Sequence, residues 1–429
     1  MKLFRRLEKI YVVISMLFFA GGLLPRAIAE DDLHARWQTD IGYRVGQIII
    51  FLILIPLLAY HWRKILRGLQ QSGWIIAFCC IATVSAAWSY DLRYSARQGI
   101  LLSALTLYAV YVASCFDWDE QLNMFGWMSV IAVVGSCFMA VFIPSYGISH
   151  DLHWGSVKGL FPHKNALGRQ MVFAILTLAL GKPVGIPKWL RHTTLACAFV
   201  LLIFSNAATS LIVMVFCIAM YPAVHLLRFS RKKTLPLWVP LVPVFAMGAA
   251  IVIANFGLVA EAAGRNATLT GRIPIWTAVI SAIGRRPWFG YGFNVFFRRF
   301  SVDLAKLKYE VLYIPAYAHN GYLDILLGVG FIGMLIFLGG FISNFWRAIR
   351  MFRANEIRGA KWPLFVLLFI AVFNLAESAI VHAMAFLWIP YVTLYVSLAL
   401  VTAEETDRWT EPPREAVTSG LVDAESHGA

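Results

Sequence analysis

Charge is scarce in this chain. Of 429 residues only 14% are Asp, Glu, Lys or Arg, against 60% hydrophobic side chains, and the mean hydropathy is +0.70. A soluble globule with a polar shell is excluded, because too few polar groups remain to coat one. Acidic residues are the scarcer sign: 23 Asp and Glu stand against 37 Lys and Arg, a formal net charge of +14. Cysteine is limited to Cys79, Cys80, Cys115, Cys137, Cys197 and Cys217, all inside apolar runs and none at metal-ligand spacing. They read as small packing residues, so neither a zinc site nor a disulfide framework is expected. No internal repeat or nucleotide-binding glycine loop stands out, and nothing points to nucleic acid.

What the chain has instead is apolar length. Runs able to cross about 30 Å of hydrocarbon recur, and in lipid a continuous apolar run without alternation satisfies its backbone as a helix. The expected fold class is therefore an all-α polytopic integral membrane protein. About twelve spans are expected: 10–29, 43–60, 74–89, 99–115, 122–143, 165–181, 192–205, 208–227, 236–256, 321–346, 362–380 and 384–401. The first resembles a secretory signal, with MKLFRRLEK ahead of it and AIA before Glu30, but its apolar part is long and other spans follow. It is expected to be retained.

Basic connections alternate along this list, as the positive-inside tendency requires. The N-terminus, HWRKILRG at 61, GKPVGIPKWLRH at 181, RFSRKK at 228 and RAIRMFRANEIRGAK at 347 fall on one side, the cytoplasm. The segments from 30, from 144 to 164 and from 257 to 320 fall on the other, in the periplasm or outside the cell. Two connections fit poorly: DWDEQ after residue 116 is acidic yet cytoplasmic, and the 90–98 loop carries Arg93 and Arg97 outside. Residues 1–401 read as a single transmembrane domain with a large external loop at about 257–320. Residues 402–429, polar and with Pro412-Pro413, read as a disordered cytoplasmic tail.

Polar clusters border the spans on the external side. In GSVKGLFPHKNALGRQM, from 155, His163, Lys164 and Asn165 precede a helix whose first turn holds Arg169. Free N–H groups at a helix start beside Lys and Arg make an anion site. The competing reading is that Asn165 caps the helix and the cations stay in the interface. In TLTGRIPIWTAVISAIGRRPWFGYGFNVF, from 268, Arg272 opens a helical stripe of Ile273, Ile275, Trp276, Val279, Ile280 and Ile283, too short to span and expected to lie along the membrane surface. PWFGYG is then a tight turn. The planar fork of Arg272 suits a phosphate, although the spacing alone slightly favours an exposed interfacial arginine.

In YAHNGYLDILLGVGFIG, residues 317–333, His319 and Asn320 precede a helix and Asp324 lies one turn after Asn320. An imidazole at the water boundary can take a proton from a sugar hydroxyl; a hydrogen-bonded structural histidine is the alternative. Glu377, in NLAESAI near the external end of a span, is a further candidate, with pairing to a neighbouring helix as the competing explanation.

These clusters, in this order and spacing, resemble the O-antigen ligase and polysaccharide polymerase superfamily. His319-Asn320, nine residues, then Gly330-Phe-Ile-Gly333 is similar to the family's His-Asn and Gly-x-x-Gly pattern. Gly271-Arg272 with Trp276, Pro287, Gly290 and Gly292 is similar to its periplasmic-loop signature. Gly159-Leu-Phe161, His163-Lys-Asn165 and Leu167-Gly168 are closer to the form in ExoQ-type exopolysaccharide polymerases than in the ligases. The resemblance covers roughly residues 90 to 395. SNAATS at 205–210 departs from the Ser-Arg-Ser/Thr element common in relatives, and Lys158 stands where many polymerases have arginine.

The resemblance implies a bacterial inner-membrane glycosyltransferase that joins undecaprenyl-diphosphate-linked oligosaccharides outside the cytoplasm, where no nucleotide sugar exists. Arg272, with Lys164 and Arg169, would stabilise the departing diphosphate, and His319 would deprotonate the acceptor hydroxyl, with Asn320 or Asp324 orienting it. His163, Asn165, Arg97 and Glu377 complete the expected substrate-binding set. Direct displacement inverts the anomeric carbon and calls for no metal or other cofactor. Expected partners are membrane lipid and the flippase, chain-length and export proteins of a polysaccharide assembly system. A ligase passing finished glycan to lipid A core is the nearest alternative. A secondary transporter or lipid-linked-oligosaccharide flippase is another, but it predicts related halves and mid-bilayer polar residues, whereas here the polar clusters gather at one face.

Overall fold

The computed structural model describes residues 2–23, 41–150, 155–226, 272–298, 317–354, 357–380 and 385–410. Among them no strand forms, and the chain is built from helices: α1 (Lys2–Phe19), α2 (Ile41–Tyr60), α3 (Trp62–Gln70), α4 (Gly73–Val84), α5 (Leu92–Cys115), α6 (Trp118–Phe142), α7 (Lys164–Leu176), α8 (Lys188–Phe204), α9 (Ala208–Leu226), α10 (Arg272–Arg285), α11 (Gly321–Ala354), α12 (Lys361–Ala376) and α13 (Trp388–Thr410). The all-helical class expected from the apolar runs is what the protein adopts, and it is a multi-pass membrane protein. Among the described residues five helices are long and apolar enough to cross a membrane, within α2, α5, α6, α9 and α11, and a sixth span arises if α3 and α4, bent by 90° to each other, count together. The expected stretch 236–256 lies outside the described residues.

Local chemistry sets the helix starts. Asp117 and Glu120 close a capping box at α6, with Glu120 N–H donating to Asp117 Oδ1 at 2.8 Å, so the acidic DWDEQ connection is a helix start. Asp91 caps α5 through the Tyr94 N–H at 3.1 Å, which puts Arg93 and Arg97 on the helix and not in a loop. HWRKILRG, expected as a plain connection, is largely α3: Trp62, Ile65, Leu66 and Leu69 recur at helical spacing, and Ile65 is buried. Helix α13 runs past residue 401 to Thr410.

The bundle is organised around α12, which is apolar on all sides and buried along almost its whole length, as befits an innermost helix. α5 packs along α13, and interhelical hydrogen bonds stitch the interior: Trp388 Nε1 donates to Thr106 Oγ1 at 2.8 Å, and Tyr108 Oη to the Val12 carbonyl at 2.9 Å. At one end of the bundle the buried Glu8 carboxylate accepts from Tyr111 Oη at 2.9 Å and lies 2.7 Å from His61 Nε2, and Arg5 reaches Glu120 at 2.5 Å. Buried charge is tolerated here because it is paired. The six cysteines are free thiols.

At the other end α11 is broken. Gly330 sits at φ 65°, ψ −166°, inside a helix, and a Cβ there would lie 2.3 Å from the Trp288 carbonyl. The break orphans backbone groups, each costing several kcal/mol in hydrocarbon. The PWFGYG turn takes them up: Tyr291 N–H donates to Leu327 O at 2.7 Å, Gly292 N–H to Gly328 O at 3.0 Å, and Phe331 N–H to Pro287 O at 2.8 Å. The tight turn and the Gly-x-x-Gly are thus one interlocked unit. Helix α10 lies against it, burying Ile275, Val279, Ala282 and Ile283 against Tyr291, Phe296, Ala318 and Leu327. Most of the expected stripe that is described therefore packs against protein, while Ile280 is exposed.

Candidate active site

The broken end of α11 brings the polar clusters together. His319 precedes α11 in the left-handed region, at φ 53°, with its ring 4.4 Å from that of Tyr317. Asn320 closes the helix start: its Oδ1 accepts from the Tyr322 and Leu323 N–H groups at 3.0 and 3.2 Å, and its Nδ2 donates to Leu375 O at 3.1 Å. Asp324 accepts the Ala318 N–H at 3.0 Å on Oδ1 and the Ser378 hydroxyl on Oδ2. Both oxygens of Asp324 therefore hold the turn that carries His319. Asn320 and Asp324 are clamps between the start of α11 and the end of α12.

That end is fixed by Asn374, buried in the last turn of α12. Its Nδ2 donates to Ile370 O at 2.7 Å, and its Oδ1 accepts from the Ala379 and Ile380 N–H groups at 3.0 and 3.1 Å. The chain leaves the helix at Glu377, whose backbone is extended at φ −146°, ψ 149°. Gly321 allows the contact, since a Cβ there would lie 2.3 Å from Asn374 Oδ1. Sequence reading gave no role to Asn374 or Ser378; the signal was polar residues clustered with Glu377 at the end of an apolar span.

Glu377 Oε2 lies 3.6 Å from His319 Nδ1, within ion-pair range and too long for a hydrogen bond; Nδ1 is buried with no hydrogen-bond partner. Side-chain exposure is 25% for His319 and 9% for Glu377, so the imidazole can reach an incoming group while the carboxylate stays behind it. On its other oxygen Glu377 accepts from Asn165 Nδ2 at 3.3 Å. Asn165 does not cap α7. His163 does, in extended geometry with Nδ1 accepting the Asn165 N–H at 3.2 Å, and this frees the Asn165 amide for Glu377.

One of the candidate cations interacts with the pair's carboxylate. Arg169, in the second turn of α7, interacts electrostatically with Glu377 and Tyr317, and its Nε is buried without a hydrogen-bond partner. Lys164 is buried and donates to Asn206 O at 3.3 Å, at the SNAATS turn. Lys158 is buried too, its ammonium 5.5 Å from the Tyr146 ring. The backbone of Arg272 begins α10, and one turn later Trp276 Nε1 donates to Ala318 O at 2.9 Å, which ties that helix to the residue before His319; the Arg272 side chain lies outside the described residues. Arg97 is half-buried in α5 and makes no hydrogen bond or ion pair among the described residues. A partly open imidazole backed by a buried carboxylate, with a half-buried arginine within electrostatic range of that carboxylate, can accept a proton next to an anion. Among the described residues no group of His, Cys, Asp and Glu is placed to hold a metal ion.

The chain is similar to known proteins. Residues 193–338 match the family model described as O-antigen ligase (Wzy_C), a stretch that ends within α11 and includes Arg272, His319 and Gly330. The chain is also similar to the exopolysaccharide production protein ExoQ of Rhizobium meliloti (strain 1021), at 24% identity over 351 residues, 77% of this chain and 79% of that protein. Both matches bear out the resemblance to the O-antigen ligase and polysaccharide polymerase superfamily.

Proposed function

We propose that this protein is a glycosyltransferase of polysaccharide assembly that polymerises polyprenyl-diphosphate-linked oligosaccharide repeat units into an exopolysaccharide or related surface glycan, at the periplasmic face of the bacterial inner membrane. The observation that carries the reading is the partly open His319 imidazole beside Glu377, Asn165 and Arg169 at one end of a membrane bundle. A lipid-held diphosphate and a water-borne hydroxyl can meet only at such a boundary. The similarity to ExoQ favours polymer formation, and the family match supports glycan transfer more broadly.

In this mechanism the acceptor hydroxyl attacks the anomeric carbon of the donor glycan and gives its proton to His319. The bond from the anomeric carbon to the diphosphate oxygen breaks, the electron pair leaves with polyprenyl diphosphate, and configuration inverts. Arg272, Lys164 and Arg169 stabilise the developing charge, each on the order of a few kcal/mol for a preorganised group. About twelve membrane crossings place both termini in the cytoplasm and residues 257–320 outside. An impermeant thiol reagent that fails to reach Asp303→Cys in intact spheroplasts, in a background without the native cysteines, would refute that sidedness.

Transfer of finished glycan to lipid A core is the second reading, favoured by the family description. The lipid-linked material that accumulates on deletion separates the two. Single repeat units are expected of a lost polymerase; long lipid-linked chains would overturn that reading in favour of the ligase.

A further inference from the structure

Resting on the general-base reading of His319, we infer that Glu377 is a positioning residue for that imidazole and not a substrate ligand: it holds Nδ1 so that Nε2 meets the acceptor hydroxyl. The geometry is one-sided. Glu377 is anchored through Asn165 on Oε1, its backbone N–H donates to Phe373 O at 2.9 Å, and Asn374 fixes the residues that follow. Its Oε2 then faces the ring nitrogen that is buried and without a hydrogen-bond partner. A carboxylate that accepts a hydrogen bond from Nδ1–H keeps the proton on that nitrogen and the lone pair on Nε2, and it balances the positive charge the ring gains on taking a proton. The 3.6 Å separation is of the kind that tightens when a reactant is bound.

The other groups around the pair fit this role. Asp324 is engaged with Ala318 and Ser378, Tyr317 lies against the imidazole, and Arg169 of α7 is within electrostatic range of Glu377. Arg169 keeps the carboxylate from being an isolated buried charge when the ring is neutral. When the ring is protonated, Glu377 has two cationic neighbours, and the site is set for an anionic leaving group.

The test is a kinetic cycle with purified, reconstituted protein and lipid-linked repeat units, comparing wild type, Glu377→Gln, His319→Gln and the double variant. Gln can still accept from Asn165 but carries no charge. Glu377→Gln should lower kcat about 10–100-fold, the usual cost of losing an outer partner of a functional histidine, while the donor KM stays within about twofold. Added to His319→Gln it should cost nothing further, because it acts through the ring. A raised KM with intact kcat would make Glu377 a substrate ligand, and losses that multiply in the double variant would make it independent of His319; either overturns the inference. If His319→Gln is inactive and Glu377→Gln has wild-type kcat, the positioning role alone falls. An active His319→Gln removes the general base and this inference with it. Should Glu377→Gln fail to accumulate, Glu377→Asp replaces it: the same fall in kcat at constant KM is expected from the shortened reach, and wild-type kcat overturns the inference.

Discussion

Asn165 Nδ2 donates to Glu377 Oε1 at 3.3 Å, joining the first turn of α7 to the residue that follows α12. The bond exists because His163, one step outside the helix, caps α7 and releases the Asn165 side chain. Two segments far apart in sequence thereby share one carboxylate at the edge of the bundle, next to His319.

Asn165→Asp should be worse than Asn165→Ala. Alanine leaves one oxygen of Glu377 without its donor, a loss of about 1–3 kcal/mol for a buried acceptor. Aspartate sets a second carboxylate against the first, and like charges at this distance repel. Thermal unfolding in detergent and polymer yield from reconstituted protein should both rank wild type, Ala, Asp. Equal activity for Asp and wild type would mean the Asn165 to Glu377 bond has no part in the site.

Gly330→Ala should destabilise the protein while Gly328→Ala is tolerated. Gly330 combines φ 65° with a Cβ position 2.3 Å from the Trp288 carbonyl, whereas at Gly328 the nearest atom is 3.4 Å away. A strained backbone alone costs about 1–3 kcal/mol, and the clash also pushes on the PWFGYG turn that closes the break. Melting temperatures of the two variants decide the matter, and a Gly330 variant as stable as its neighbour would show that the break is not a fixed part of the fold.

How much of this was legible beforehand follows from the range of each signal. Apolar length and helix starts are local, so the membrane class and the helical position of most expected spans could be read. The amphipathic α3 was hidden because HWRKILRG carries too many cations to be taken for anything but a connection. The polar residues of the site were visible as interruptions of apolar runs, and His163, Asn165, His319 and Glu377 do converge. Their partners were not readable. Asp324 was expected among the substrate-binding residues, and its hydrogen bonds from the Ala318 N–H and the Ser378 hydroxyl come from turns that the sequence does not bring together. Asn165 looked like a cap because Asn is a good one, and no local rule says that the preceding histidine will cap in its place. Gly330 could be recognised as part of a pattern, yet the helix break depends on its docking against residues 287–292.

Arg272→Lys should lose most polymer formation while insertion and yield are unchanged. The charge is kept and the planar fork is lost, so the result separates bidentate holding of a diphosphate from general attraction to anionic headgroups. Initial rates with lipid-linked repeat units in vesicles of fixed anionic lipid content give the comparison. Near-normal rates for the lysine variant would leave only the general attraction.

His319 does two things at once, and they can be separated. Its backbone occupies the left-handed region at φ 53°, where a β-carbon is costly and glycine is not. His319→Gly should therefore match the wild type in thermal stability or exceed it, since strain of about 1–3 kcal/mol is relieved. His319→Gln keeps a hydrogen-bonding side chain but cannot take up a proton near neutrality. If the imidazole is the general base, both variants should lose at least about 10²-fold in rate, the usual scale for removing an acid–base group. If the histidine serves only to form the turn before α11, the glycine variant should do so at least as well and remain active. The measurement is polymer formed per unit of folded, reconstituted protein. A glycine variant within about a factor of ten of wild type, well short of that scale, would take the catalytic role away from His319 and leave the Glu377 cluster as a binding site alone.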